Sequence, residues 1–340
     1  QQNAGKAPSQ LLGFGVGIGG CSWSGACSDV TDFGNGLGFG SSWTVAIVNA
    51  FAGFNRLQAS GVLKSPVYRD VFYINQGNTL GTAAQEDIDF ANMVSAFNSE
   101  FNAASFQFLI QMQSQVETTE TVIRPDAFEK VNIVRTNAGG NMWGVGTQYP
   151  YCTRTDDIHF TVYDIMRVAE QVGYAMYVIH DEAGSPPGPY HPLWLSKTNP
   201  IVISGNTITV PFDRPSGNAF ASSPLQFVQT TNDFPMQWLQ QGFDVKDNTA
   251  GTDIAVTPSI SGLNVVLTAA SNLPSGDAIE ISYAYYGTTS SVPCTVMGVT
   301  GQTESLGGNL AMAGPTSPIF GGGLPIYSPA WPFDTTMTVP

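Results

Sequence analysis

Charge is what this chain has least of. Asp, Glu, Lys and Arg make up 11% of its 340 residues, under half the roughly 25% of an average soluble protein. The basic share is smallest, 12 Lys and Arg against 26 Asp and Glu, which leaves a formal charge of −14. Nucleic-acid binding works by releasing counterions from phosphates to Lys and Arg, so this balance argues against such a partner. It argues equally against docking on anionic membranes. No run of about 18 apolar residues occurs, so no membrane-spanning helix is expected. Cysteine is scarce as well. Cys21, Cys27, Cys152 and Cys294 are too few for a disulfide scaffold, and without nearby histidines they imply no metal. Cys21 and Cys27 either close a short loop or stay free. No cofactor is implied by any cluster of ligand-type residues.

What fills the space is Gly, Ser, Thr, Asn and aromatic residues. The apolar content is ordinary and patterned, so the composition is that of a folded protein and not of a disordered one. A surface built from hydroxyls and amides suits an extracellular or virion-associated protein. The partners it suits are neutral glycans, further copies of the chain, or other virion components. The opening Gln1-Gln2-Asn3-Ala4 suggests a cleaved or truncated product.

The first half alternates strand and helix signals. Leu11 to Ile18 reads as a Gly-laced strand entering Gly19-Gly20-Cys21-Ser22, and residues 43–60 read as a helix. Tyr68 to Asn75, Phe106 to Met112 and Val131 to Val134 read as buried strands. Thr82-x-x-Gln85 is a capping box, with Ile88, Ala91, Val94 and Phe97 expected on the inward helical face. Thr161-x-x-Asp164 opens a further helix that presents Ile165, Val168, Ala169 and Val172, with Gly173 as its expected stop. Such alternation predicts an α/β domain over 1–183, built on a largely parallel sheet covered on both faces.

A Pro/Gly linker is expected over 184–199, around Ser185-Pro186-Pro187-Gly188-Pro189. Beyond it, residues 200–340 alternate Val, Ile, Thr and Tyr between SGN, PSG and SG turns. That pattern predicts an antiparallel β-sandwich. The closing Pro325-Ile326-Tyr327-Ser328-Pro329-Ala330-Trp331-Pro332-Phe333 reads as an irregular strap.

The candidate chemistry centres on Asp156-Asp157-Ile158-His159, set immediately before the Thr161 helix. A carboxylate three positions from a histidine can orient the imidazole and stabilise its protonated form, making it a general base. Standing alone, the pattern is met more often as a helix-entry acid beside a structural histidine. Gln76 and Asn78 offer neutral amide donors at a strand end, and Gly20 allows close backbone approach. Those are the requirements of an oxyanion hole.

Taken in order, Gly19-Gly20-Cys21-Ser22, Tyr73-Ile74-Asn75-Gln76-Gly77-Asn78-Thr79 and Asp156-Asp157-Ile158-His159 resemble the motifs of the SGNH (GDSL-like) hydrolase superfamily. The nearer likeness is to its carbohydrate O-acetylesterase branch, the sialate acetylesterase-like proteins, in forms carried by phages or bacteria. The resemblance implies a flavodoxin-like parallel-sheet domain and serine-type hydrolysis of O-acetyl or similar esters on a polysaccharide. It implies His159 as base, Asp156 as its orienting acid, and Gly20, Gln76 and Asn78 as the oxyanion hole. The family's nucleophile belongs to a block before the Gly-Gly loop, where this chain has a single serine, Ser9, in a non-strand context. That block is missing here, and Ser22 is the candidate nucleophile in its place. Trp143, Tyr149 and Tyr151 are candidate sugar-stacking residues. The alternative function is a catalytically inactive glycan-binding, receptor-binding or structural virion or fibre protein on the same scaffold.

Overall fold

The computed structural model describes chiefly residues 69–73, 106–112, 125–136, 141–147, 151–153, 161–182, 190–228, 238–285, 292–296, 299–303 and 307–340 except 321. Smaller pieces are described at 31–32, 38–39 and within 53–61 and 82–95. A short ladder joins β1 (Thr31–Asp32) to β2 (Gly38–Phe39). Strands β3 (Arg69–Tyr73), β4 (Phe106–Met112) and β5 (Met142–Thr147) form a parallel sheet in that order. Helix α1 (Pro125–Thr136) connects β4 to β5, and helix α2 (Val162–Tyr177) follows β6 (Cys152–Thr153).

Every other sheet is antiparallel among the described residues. Strands β7 (Trp194–Leu195), β8 (Val202–Ser204), β9 (Thr207–Asp213), β13 (Val256–Ser261) and β14 (Asn264–Ala269) make one, with β8 and β14 both paired to β9. Strands β12 (Thr252–Asp253), β11 (Phe243–Asp247), β15 (Ala278–Tyr283) and β20 (Phe333–Thr338) make the next, in that spatial order. A third sheet runs β10 (Leu225–Phe227), β18 (Leu310–Thr316), β19 (Pro325–Pro329). The hairpin β16 (Val292–Val296) and β17 (Val299–Thr303) adds β6, so a strand from the first half completes a sheet of the second.

These antiparallel strands obey their period of two. Ile208 and Val210 on β9, Val265 and Leu267 on β14, Val245 on β11, and Ile279 and Ile281 on β15 all point inward and are buried. Each such side chain contributes about 1.5–3 kcal/mol on leaving water. The same cluster includes Leu109, Trp143, Val145, Val172 and Ile179, so a single apolar core joins residues on both sides of the 184–199 segment. Trp331, fully buried, seals that junction. Its ring lies so close to the β5 backbone that a Cβ on Gly144 would stand 2.4 Å from Trp331 Cη2.

The expected fold class is therefore corrected. The described residues are mostly β-sheet, in several antiparallel sheets with few helices, and an α/β domain on a doubly covered parallel sheet is not what they form. Parallel pairing is confined to β3, β4 and β5. One cause is the run Val131 to Val134, expected as a strand, which lies inside α1. A short apolar run does not distinguish strand from helix, and Pro125 at the first helical position supplies the helical start. The expected face of the 82–95 helix is also wrong. Ile88 and Ala91 are exposed, while Glu86 and Phe90, one turn apart, are the buried pair. Gly173 does not stop α2. The helix continues to Tyr177 and a π-helical turn over Val178–Glu182, because Tyr174, Ala175, Val178 and Ile179 extend the buried stripe. The supposed irregular strap consists of β19 and β20, with Pro325 and Pro329 at the strand ends where prolines are tolerated. The Leu11–Ile18 strand and residues 184–189 of the linker expected over 184–199 lie outside the described residues, while 190–199 hold β7 and the buried Tyr190, Leu193 and Trp194.

Candidate functional site

The residues on which the expected chemistry rests, His159, Asp156, Ser22, Gly20, Gln76 and Asn78, lie outside the described residues, as does Tyr149. What is described is the framework leading into them. Strand β3 ends at Tyr73, three residues before Gln76. Helix α2 begins at Val162, and its N-cap is Thr161, two residues after His159. The Thr161 hydroxyl accepts from the Asp164 backbone N–H at 3.3 Å and donates to the Asp164 carboxylate. That cap satisfies one of the donors which the first helical turn leaves open. It also fixes where the chain carrying His159 enters the helix.

Gln171 links this helix to the sheet. Its Oε1 accepts from the Thr147 N–H at the carboxyl end of β5, at 3.4 Å, and its Nε2 donates to the Tyr151 hydroxyl. The close approach is possible because β5 carries Gly146, at φ +137°, where a Cβ would meet Gln171 Oε1 at 2.7 Å. Tyr151 is 1% exposed and packs on Val168, and Trp143 is 2% exposed within the main core. Both rings are closed in by protein in this conformation, so neither presents a face on which a sugar could stack. A cavity lined by Gly146, Gln171, Tyr174, Tyr190 and Phe220 adjoins this region, with a volume of about 10 Å³. That is room for one water, not for a sugar ring. Burial, reinforced by Tyr174, pushes the Tyr190 phenol upward, so it stays neutral there.

A second polar cluster, not anticipated from sequence, joins α1 to the first strands of the second half. The His191 ring stacks on Trp194 at 4.6 Å, with the planes 6° apart. Lys197 Nζ and the Arg135 guanidinium lie 4.7 and 5.4 Å from the centre of the same indole. Arg135 donates to the Leu195 carbonyl at 2.7 Å, and Lys197 donates to the Arg135 carbonyl at the end of α1. Asp213 accepts from Ser196 Oγ at 2.6 Å and from the Lys197 N–H at 2.9 Å. Burial lowers the His191 pKa, and Lys197 and Arg135 add to the lowering, against opposing contributions from the Pro192 carbonyl and Asp213. Burial also lowers Lys197, with Arg135 adding to the effect. The cluster has a structural job, clamping the carboxyl end of α1 onto β7 through cation–π and hydrogen-bond contacts. The sequence hint was the pairing of a lone Trp and His with Lys197 in one short segment. The Arg135 partner, distant in sequence, gave no such hint.

Among the described residues no group of three or more His, Cys, Asp or Glu is placed to hold a metal, and no helix is long and apolar enough to cross a membrane.

No protein-family model matches the chain, and no curated protein matches it. Among solved structures, the crystal structure of a carbohydrate acetylesterase from Xanthomonas citri matches with a TM-score of 0.43 and 15% identity. The match covers 78% of this chain and 49% of that one, so the chain spans about half the length of that protein. The N-terminal part of the bacterial S-layer protein SbsC matches with a TM-score of 0.20 and 12% identity, over 47% of this chain and 30% of that one.

Proposed function

We propose that the chain is a carbohydrate esterase-like protein that removes O-acetyl or similar esters from a polysaccharide by serine-type acyl transfer. The observation that carries this reading is the framed position of the motifs. His159 lies two residues before the N-cap of α2, and Gln76-Gly77-Asn78 begins three residues after the end of β3. Segments anchored at such element ends can hold a base and amide donors in fixed relation, as acyl transfer requires.

In this proposal Ser22 attacks the ester carbonyl while His159 takes its proton, with Asp156 holding the imidazole. The Gly20 N–H and the Gln76 and Asn78 amides donate to the oxyanion. His159 then returns the proton to the departing sugar hydroxyl, and water repeats the cycle to release acetate and free Ser22.

The test is hydrolysis of an aryl acetate and of an O-acetylated polysaccharide, together with labelling by a serine-directed fluorophosphonate. A loss of activity of about 10²-fold or more is expected in His159→Ala, with the label mapped to Ser22. Full activity in His159→Ala ends the catalytic reading. Polysaccharide binding by the unaltered protein with neither hydrolysis nor labelling assigns the inactive, glycan-binding alternative instead.

A further inference from the structure

The face of the β12-β11-β15-β20 sheet opposite Val245, Ile279 and Ile281 carries a row of acidic and hydroxyl groups that the proposed chemistry does not use. Asp244 of β11 stands opposite Ser282 of β15, and Ser282 stands opposite Asp334 of β20. One step along, Lys246 is flanked by Asp253 of β12 and Glu280 of β15, and Glu280 in turn faces Thr336 of β20. Residues directly opposed across antiparallel strands share a face, and like charges there repel. Ser282 is 1% exposed, and neither its Oγ nor the buried Oδ1 of Asp334 has a hydrogen-bond partner. A buried carboxylate oxygen in that condition is costly when charged and is relieved by a proton. The strand that bears it, β20, lies at one edge of the sheet and, among the described residues, is hydrogen-bonded to β15 alone.

We propose that this row is an acid-closed latch, in which ionisation of Asp334 beside Glu280 loosens the C-terminal strand β20 from β15 and protonation secures it. Burial, followed by the Glu280 charge, pushes the Asp334 carboxyl up to about 6, against the pull of the Thr335 N–H. Burial and Asp253 push Asp244, on the far side of Ser282, up to about 6 as well. Among the described residues, the remaining titratable neighbours do not cancel this. Lys246 stands between Asp253 and Glu280, one step along the ladder from Asp334. The Tyr285 phenol, raised by burial and then by Asp334 and Glu280, stays neutral throughout. The side chain that α1 brings to Tyr285 is the uncharged Phe128, 5.0 Å between ring centres.

The sign follows from the direction of the shift. A carboxyl raised in the paired strand favours pairing fully below its ordinary value near 4, and that contribution is lost as pH rises through about 6. Phe333 and Val339 keep their apolar anchors at either pH, so the change is a larger open fraction of one strand and not its departure.

Hydrogen exchange followed by mass spectrometry at pH 5.0 and 7.5, corrected for the intrinsic chemical rate, tests the latch on the full chain. Exchange over 333–338 should be about five- to tenfold faster at pH 7.5, with 264–269 in the neighbouring sheet unchanged. Asp334→Asn should remove that difference, and Glu280→Gln, which leaves Asp334 in place, should reduce it. The proposal is overturned if the wild-type strand exchanges equally at both pH values. It is also overturned if Asp334→Asn or Glu280→Gln keeps the full difference, or if 264–269 changes in step with 333–338.

Discussion

Arg167 and Glu170, one turn apart on α2, form a 2.6 Å ion pair that is almost wholly closed to water. Each ion reaches past the helix into the C-terminal segment. Arg167 donates to the Pro325 carbonyl at 2.7 Å and lies 5.3 Å from the Phe320 ring, and Glu170 accepts from the Ser317 hydroxyl. Tyr163 adds a ring contact to Phe320 at 4.6 Å. The pair is thus a tie between a helix of the first half and β19 of the second.

Removing one member leaves the other buried without its charge partner in the pair. Glu170→Ala is expected to cost about 3–5 kcal/mol, since the buried guanidinium loses its 2.6 Å carboxylate. Replacing both, as Arg167→Met with Glu170→Leu, should cost markedly less than either single change. Urea unfolding of the two singles and the double, read as a double-mutant cycle, checks this.

Gly144 faces the other clamp. With Trp331 Cη2 at 2.4 Å from the site of a new Cβ, Gly144→Ala forces ring or strand to move and should cost about 1–3 kcal/mol by overpacking. Trp331→Phe in the same chain should recover part of that loss. Thermal unfolding of the four combinations measures the coupling.

Asp244 predicts a stability that falls with rising pH. Its folded-state value is pushed up to about 6 by burial and Asp253, so its contribution is whole below about 4 and is lost as pH passes about 6. Asp244→Asn should raise the melting temperature at pH 7.5 and leave it nearly unchanged at pH 4. Equal effects at both pH values would count against the assignment.

His191 carries the opposite sign. Burial beneath Trp194, with Lys197 and Arg135 near, lowers its pKa. The neutral ring therefore contributes fully above about 6.5, and the contribution disappears as acid protonates it. His191→Phe keeps the stacking and should remove the His191 share of the pH dependence, making the variant relatively more stable at pH 5 than at pH 7 against the wild type, as followed by denaturant midpoints.

How much of this was readable from sequence depended on whether the signal was local. The β8–β9 turn at Ser204-Gly205-Asn206, the β14 run and the β15 run were legible because alternation and turn residues sit side by side. Thr161 and Asp164 announced the start of α2 for the same reason. Val131 to Val134 misled because so short a run, three apolar residues around Asn132, carries no period of its own, and the deciding Pro125 lies a full turn and more upstream. Ile88 was placed inward by periodicity, yet Glu86 took that face because Lys130 of α1 waits there, 3.8 Å away. The tie from Arg167 to Pro325 and the row from Asp244 through Ser282 to Asp334 join residues remote in sequence, and no local pattern marks either. For the candidate site, only its framework is described: the end of β3 and the cap of α2.

The seating of Trp331 over Gly144 also dictates an order of assembly. Strand β5 and helix α2 leave the ribosome well before the segment that covers them. Until that segment is synthesised, the β5 backbone at Gly144 lacks the ring that covers it. Contacts of such long sequence separation make folding slow, and exposed apolar surface in the waiting intermediate invites aggregation or capture by a chaperone. Shortening the chain before Trp331 should therefore harm the first half as much as the second, although no residue of the first half has been removed.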